Sequence, residues 1–211
     1  MIPFRAGQLK RVLCLGAHSD DIEIGCGGTL LKLAEEYAGL EVCWVVFTAS
    51  ETRAQEARQS AETLLGSGIA RKIMVGTFRE SYFPAEWAAI KDWFGQIANF
   101  APDLVFTHFR DDRHQDHRVV SDLTWNAFRN HAILEYEIPK YDGDLGRPNL
   151  YVPLSEEIAR KKTAILMRHF QTQQSKHWFS EDLFLGLMRV RGMEAATRYA
   201  EAFHSRKIVL A

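Results

Sequence analysis

The sequence predicts an α/β protein with a mostly parallel sheet flanked by helices. Short apolar runs alternate with longer segments whose apolar residues recur at helical spacing, and this alternation is typical of parallel strands joined by right-handed crossovers. With 211 residues, of which 46% are hydrophobic, the chain can bury one substantial core. It contains no internal repeat, low-complexity segment or linker. We therefore expect a single Rossmann-like domain over residues 1–211.

The first half of the chain predicts three strands that alternate with three helices. Gly39 ends the first helix, and Ser50 or Thr52 caps the second, because glycine favours helix ends and a hydroxyl satisfies the first backbone N–H groups. A glycine cluster at residues 25–28 lies between the first strand and the first helix and suggests close packing on the sheet. The predicted strands are residues 12–15, 42–48 and 72–75, and the predicted helices are residues 30–37, 50–65 and 85–100.

The second half begins with a fourth buried strand and then becomes less regular. Past residue 133 a polar loop, residues 139–153, could form one wall of a pocket. The predicted strands are residues 104–107 and 207–210, and the predicted helices are residues 119–130, 156–169 and 183–191.

Composition excludes several partners. The formal net charge is −1 and the pI is about 6.7, so bulk charge does not favour nucleic acid or an anionic membrane. No apolar run approaches the roughly 20 residues of a membrane span, and residues 1–7 lack the apolar core of a signal peptide. The three cysteines, Cys14, Cys26 and Cys43, form no paired spacing and suit a reducing compartment. We expect a cytoplasmic protein.

Two groups of polar side chains follow the first and fourth predicted strands. His18, Asp20 and Asp21 come directly after the first strand, and the second group contains His114 and His117. The carboxyl ends of parallel strands meet at one edge of a sheet, where open α/β sheets bind their ligands. We therefore expect the two groups to lie together. For the first group alone, the alternative is a polar loop with an Asx turn and a helix cap.

These residues have the ligand chemistry of a metal site. Neutral imidazoles and a carboxylate suit Zn²⁺, and three protein ligands leave one position open for water. The same donors also hold Fe²⁺ or another divalent metal, so zinc is a preference. At this point it stays open whether His114 or His117 binds the metal, because both would face the same side of a helix. It also stays open whether Asp20 or Asp21 binds it, because the two are adjacent.

Two short motifs resemble those of a known family. Residues 17–21, Ala-His-Ser-Asp-Asp, and residues 114–117, His-Gln-Asp-His, are similar to the paired Ala-His-Pro-Asp-Asp and His/Asp-His motifs of the PIG-L/LmbE family. That family comprises zinc-dependent de-N-acetylases that act on N-acetylglucosamine-type sugars. The resemblance extends to the glycine cluster, to residues 170–173 and to residues 201–203.

The resemblance implies a role for each matching residue. His18, Asp21 and His117 would bind zinc, and Asp20 would be the general base that takes a proton from the water at the metal. His114 would stabilise the oxyanion formed from the substrate carbonyl, and the resemblance implies that Asp116 orients it. Arg53 would help to grip the substrate; its alternative is a solvated helix charge paired with Glu51 or Glu56.

The sequence departs from the family pattern at two positions. Ser19 stands where the family usually has proline. The serine leaves the turn less rigid but can cap it. Ile22 precedes Glu23, whereas many members have glutamate directly after the paired aspartates, so the role of Glu23 is open. His108, Arg110 and Asp112 could line the same opening.

The resemblance implies a zinc-dependent N-deacetylase whose partner is a small-molecule amino sugar. One alternative keeps the mechanism and changes the substrate to the amide of a sugar–thiol conjugate. Another is a binding module for a nucleotide or sugar that performs no chemistry. Asp20 and His114 distinguish these classes, since a binder needs neither a base nor an oxyanion donor.

Overall fold

The computed structural model describes residues 9–209, in which seven strands form one sheet between two layers of helices. The strands are β1 (Arg11–Gly16), β2 (Glu41–Val46), β3 (Ala70–Val75), β4 (Leu104–His108), β5 (Ala132–Tyr136), β6 (Leu150–Leu154) and β7 (Tyr199–His204). The helices are α1 (Asp21–Glu36), α2 (Glu51–Leu65), α3 (Trp87–Ala98), α4 (Gln115–Ala127), α5 (Glu156–His169) and α6 (Glu181–Glu194), with short 3-10 turns at Phe83–Ala85 and Gln171–Gln173.

The strand order is β3-β2-β1-β4-β5-β7-β6. The first five of these positions are parallel, with Val12 of β1 beside Val42 of β2 on one side and Leu104 of β4 on the other. β7 is antiparallel to both β5 and β6. The prediction of an α/β fold with a mostly parallel, Rossmann-like sheet is therefore confirmed, and β1 and β4 are neighbours at its centre.

Each face of the sheet carries its own apolar core. α1, α2, α5 and α6 pack over one face, around fully buried residues that include Trp44, Phe106 and Phe203. α3 and α4 cover the other face, around Phe47 and Phe94. Both faces of the parallel strands are buried, which explains their continuous apolar runs.

The first helix begins earlier than the sequence predicts. α1 starts at Asp21 and includes the glycine cluster, which we expected to precede the helix. A Cβ at Gly25 would collide with the ring of Tyr136 on β5, and one at Gly28 would lie 2.6 Å from Leu154 Cδ1. Glycine weakens a helix in isolation, but here it lets α1 lie against β5 and β6. Close packing on the sheet, also expected, accounts for the cluster.

The last third of the chain differs most from prediction. β5 and β6 occupy segments that we interpreted as irregular, including the end of the 139–153 loop. The prediction of a final strand at residues 207–210 is wrong over 207–209, which have no regular structure, and the last strand is β7. Pairing with β5 and β6, and not local apolar character, decides which segment becomes the strand.

Two expectations concern residues outside the described range. One is that residues 1–7 lack the apolar core of a signal peptide, and the other is the end of the predicted strand at residue 210. Within residues 9–209, no helix combines the length and the apolar character that crossing a bilayer requires.

Candidate active site

Four elements bring the two polar groups together at the carboxyl edge of the sheet. His18 and Asp20 lie in the turn after β1, and Asp21 is the first residue of α1. His114 caps the amino terminus of α4, and His117 lies in its first turn. Because β1 and β4 are adjacent, the two turns meet over the middle of the sheet.

Three atoms from these turns that can act as metal ligands lie within 3.6 Å of one another. His18 Nδ1 is 3.1 Å from His117 Nε2 and 3.3 Å from Asp21 Oδ2, and His117 Nε2 is 3.6 Å from Asp21 Oδ2. Ligands about 2.0–2.1 Å from a tetrahedral ion are separated by roughly 3.3 Å. The donor set and its spacing therefore fit a divalent metal of the zinc type.

The other nitrogen of each of these histidines faces a carboxylate. His117 Nδ1 is 2.9 Å from Asp112 Oδ2, and His18 Nε2 is 3.3 Å from Asp116 Oδ2. A carboxylate on the far side of an imidazole fixes its tautomer and increases its basicity, as is usual for metal-binding histidines. His18 Nδ1 and His117 Nε2 thereby face each other and Asp21.

Two overlapping groups among the described residues have the donor spacing of a metal site: His18 with His114 and His117, and Asp21 with His108 and His117. His108 is less suited than His18 because its Nε2 accepts the backbone N–H of Ala17 at 2.9 Å. Its ring instead stacks on His117, with centroids 3.9 Å apart. The set of His18, Asp21 and His117 takes His18 from the first group, Asp21 from the second and His117 from both, with ligand atoms 3.1 to 3.6 Å apart.

Burial and neighbouring charges together shift the pKa values of the cluster. Burial opposes protonation of His18, but the carboxylates of Asp21 and Asp116 raise its pKa to about 10. Burial and the neighbouring His108 lower the pKa of His117 to about 3. Against the effect of its own burial, Asp21 has a pKa well below the usual range because His117, His108 and His18 surround it. A cation bound here competes with the proton on His18.

Asp20 is held apart from the donor cluster by Arg53. Arg53 Nη2 lies 3.1 Å from Asp20 Oδ1, and Arg53 Nη1 lies 3.5 Å from Glu80. Burial raises the pKa of Asp20, although Arg53 opposes that shift. Arg53 is thus neither solvated nor paired with Glu51 or Glu56, which was the alternative to a role in the site.

Asp116 is arranged differently from the role that the resemblance implies for it. The carboxylate of Asp116 accepts the N–H groups of Ser81 (2.6 Å) and Phe83 (3.2 Å) and faces His18. It does not orient His114, whose Nδ1 accepts the backbone N–H of Asp116 at 3.3 Å. Burial lowers the pKa of His114, with further lowering from His18. His114 is therefore a neutral imidazole with its proton on Nε2.

Lys140 and Tyr136, which the sequence did not single out, support the cluster together with Asp112. Asp112 contacts both His117 and Lys140, whose Nζ lies 2.9 Å from Oδ2. Burial opposes ionisation of Asp112, but His117 and Lys140 hold its pKa well below the usual range. Tyr136 donates its hydroxyl to the Leu15 carbonyl at 2.6 Å. Asp112 was expected to line the opening of the site and instead lies against His117. Arg110 is exposed and next to Asp111.

A cleft of about 120 Å³ opens onto the cluster. Its lining includes His18, Asp20, Asp21, His114 and His117 together with Arg53. The remaining lining comes from α1, from the segment before α3, from the segment after β5 and from the segment between α5 and α6, and consists of Ile24, Glu80, Ile138, Lys140, Gln173, Lys176 and Trp178. The cleft can therefore hold a small molecule in contact with the donor cluster.

Comparison with known proteins agrees with this geometry. The model of the PIG-L family, described as GlcNAc-PI de-N-acetylase, matches residues 13–128, which include both turns of the cluster. The chain belongs to the PIG-L family. A relative in this family, an uncharacterized deacetylase of Escherichia coli K12 named YaiS, is 30% identical over 177 residues, covering 78% of this chain and 92% of its own.

Solved structures share the fold of this PIG-L protein. The N,N'-diacetylchitobiose deacetylase of Pyrococcus horikoshii superposes with a TM-score of 0.73 at 24% identity, covering 97% of this chain and 86% of its own. GalB of Pseudomonas putida, a 4-carboxy-2-hydroxymuconate hydratase, also has a TM-score of 0.73, at 18% identity, with coverage of 96% and 98%. One fold thus carries different reactions, so the activity has to be argued from the site.

Proposed function

We propose that this protein is a metal-dependent hydrolase that removes the N-acetyl group from an N-acetylglucosamine-type sugar or sugar conjugate. The observation that carries the proposal is the pair of carboxylate-backed histidines, His18 and His117, whose free nitrogens converge with Asp21 beside Asp20 and His114. Membership of a family described as de-N-acetylases supports the same reaction. We expect a single cytoplasmic domain with a small-molecule substrate and no nucleic-acid partner.

We assign His18, Asp21 and His117 as the ligands of Zn²⁺, with Fe²⁺ or another divalent ion as the alternative. The bound ion would supply Lewis acidity, which lowers the pKa of water and polarises a carbonyl oxygen. All three side chains are buried, so the site holds them in place before the ion arrives. Asp112 and Asp116 keep both imidazoles in the tautomer that binding requires.

Asp20 is the general base in this proposal. Arg53 occupies Oδ1, which leaves Oδ2 to accept the proton of the attacking water and to return it to the amine that leaves when the C–N bond breaks. A base works best when its pKa approaches the working pH, and burial shifts Asp20 in that direction. A binding module for a nucleotide or sugar would not need a buried carboxylate of this kind.

His114 donates from Nε2 to the oxygen of the amide as charge develops on it. Its Nδ1 is used as an acceptor by the helix cap, so the proton lies on the nitrogen that is free to face the cleft. A neutral donor fixed in a partly dry site stabilises an oxyanion without paying for its own reorganisation. Asp116 supports the site by holding His18, and Arg53 contributes to substrate binding beside Asp20.

Acetate release tests the proposal. Purified protein is assayed with N-acetylglucosamine, diacetylchitobiose, a nucleotide-linked N-acetylglucosamine and the amide of a sugar–thiol conjugate, with and without a chelator. We expect metal-dependent release from at least one N-acetyl sugar, with loss of activity in His117→Ala and retention in His131→Ala. Release from the thiol conjugate alone would select the alternative amidase, and tight sugar binding without release from any substrate would select the binding module.

A further inference from the structure

The turn between α5 and α6 presents a buried hydrogen-bond acceptor without a partner in the described part of the chain. Gln173 is 3% exposed and lines the cleft of the candidate active site. Its Oε1 has no hydrogen-bond partner among residues 9–209. Buried polar atoms in native proteins almost always have a partner, so this oxygen calls for an explanation.

Neighbouring hydrogen bonds determine which end of the Gln173 amide is left free. The hydroxyl of Thr172 lies 2.6 Å from Glu56 Oε2 and donates to it, because an ionised carboxylate only accepts. Thr172 Oγ1 can then only accept from Gln173, whose Nε2 lies 3.2 Å away. The amide is therefore oriented with its nitrogen on Thr172 and its carbonyl oxygen unused.

Glu56 fixes this turn to the helix that carries Arg53. Besides the hydroxyl, Glu56 accepts the backbone N–H of Thr172 at 2.9 Å. Glu56 lies three residues after Arg53 on α2, so one helix holds both the arginine and the turn. Arg53 Nε is also buried and has no partner in the described part of the chain. Arg53 and Gln173, which both line the cleft, thus carry an unused donor and an unused acceptor among the described residues.

We propose that Gln173 is a specificity-determining residue that accepts a hydrogen bond from a ring hydroxyl of the amino sugar, and that Glu56 positions it through Thr172. This inference rests on the proposed function. An amino sugar provides hydroxyl groups at fixed angles around its ring, and a site built to bond a hydroxyl strongly rejects the analogue that lacks it. Loss of such a bond leaves the buried oxygen unpaired again.

Deoxy sugars test the assignment. The ratio of kcat/KM for methyl N-acetylglucosaminide to that for its 3-, 4- and 6-deoxy analogues is measured in the wild type and in Gln173→Met. Methionine has a similar shape but no acceptor at this position. We expect the wild type to reject one analogue by about tenfold to a hundredfold, and Gln173→Met to lose that preference. Gln174→Met, an exposed neighbour in the same turn, should keep it.

Glu56→Gln tests positioning, because it weakens the hold on Thr172 and leaves Gln173 in place. We expect it to reduce the same preference in the wild-type background and to have no further effect on it in Gln173→Met. A structural defect alone would lower activity on every analogue equally and would leave the ratio unchanged. A preference that survives in Gln173→Met, in protein with normal metal content, overturns the inference.

Binding measurements separate this inference from the proposed function. The affinity of the sugar and its deoxy analogues is determined by calorimetry for the wild type and Gln173→Met. Binding that discriminates without acetate release would leave the role of Gln173 standing and would reject the hydrolase. Hydrolysis without any hydroxyl preference would do the reverse. A wild type that neither binds these sugars nor releases acetate from any sugar or conjugate of the assay panel would reject both.

Discussion

Lys162 Nζ lies 2.6 Å from Glu201 Oε1, and both side chains are buried against the middle of α1. Lys162 also donates to the carbonyl oxygen of Ile24 at 2.6 Å. Glu201 accepts the backbone N–H groups of Gly28 and Thr29 at 2.8 and 2.6 Å. The ion pair is therefore bonded to successive turns of the helix that begins at the candidate metal ligands.

Removing one member of this pair should destabilise the protein strongly. Lys162→Met leaves the Glu201 carboxylate buried without its cation, and breaking a buried pair in this way costs about 3–5 kcal/mol. The free energy of unfolding is obtained from urea denaturation. Lys161→Met, an exposed neighbour on the same helix, is the control and should change it little. Equal stability of the two variants would show that Lys162 contributes nothing beyond its aliphatic part.

Asp112 should control metal affinity without binding the metal. Asp112→Asn weakens the bond to His117 Nδ1 and should reduce affinity about 10- to 100-fold, as loss of such a partner does elsewhere. His117→Ala should abolish binding. Affinity is measured by competition with a chromogenic chelator, and Asp111→Asn, whose side chain is 74% exposed, serves as the control. Unchanged affinity in Asp112→Asn would contradict the supporting role.

The paired aspartates should differ in phenotype. Asp20→Asn should keep its metal and lose about 10²- to 10⁴-fold in kcat, the usual contribution of a general base. Asp21→Ala should lose metal and activity together. Elemental analysis and acetate release are measured on the same preparations. Near-normal turnover by Asp20→Asn would remove this residue from the mechanism.

Glu23 should make the protein less stable as the pH rises. Burial raises the pKa of Glu23 well above its usual range, although the hydroxyl of Ser60 opposes that shift. Above the pKa of the unfolded chain, the folded state binds more protons than the unfolded state, so stability falls with pH until the folded pKa is reached. Glu23→Gln, which stays neutral, should gain on the wild type by up to about 1.4 kcal/mol per pH unit.

Urea denaturation of metal-free protein between about pH 5 and pH 8 checks this slope. The difference between Glu23→Gln and wild type should be small at the acid end and should widen toward the alkaline end. Glu35→Gln, an exposed change on the same helix, should give a difference that does not depend on pH. Parallel curves for Glu23→Gln and wild type would show that the folded protein ionises Glu23 normally.

Local pattern was sufficient for the elements whose character is local. The apolar runs of β1, β2 and β4 predicted buried parallel strands, because both faces of such strands are covered. Their order along the chain then predicted that His18 and His117 would lie at one edge of the sheet. β6 and β7 were not predicted, because their pairing with each other and that of β7 with β5, and not their own composition, makes them strands. The glycine cluster was expected to precede α1 and lies inside it, because its close contact with Tyr136 and Leu154 depends on how the helix packs on the sheet.

The sequence by itself determined the fold class, the family motifs and the residue types of the candidate metal site. The tertiary structure alone decided what each of those residues contacts. Asp116 faces His18 instead of His114, and Asp112 supports His117. Gln173 reaches the cleft from a turn that Glu56 holds across 116 positions of the chain. Side-chain contacts of this range depend on how the helices pack over the sheet, and the spacing of residues along one chain carries no record of that packing.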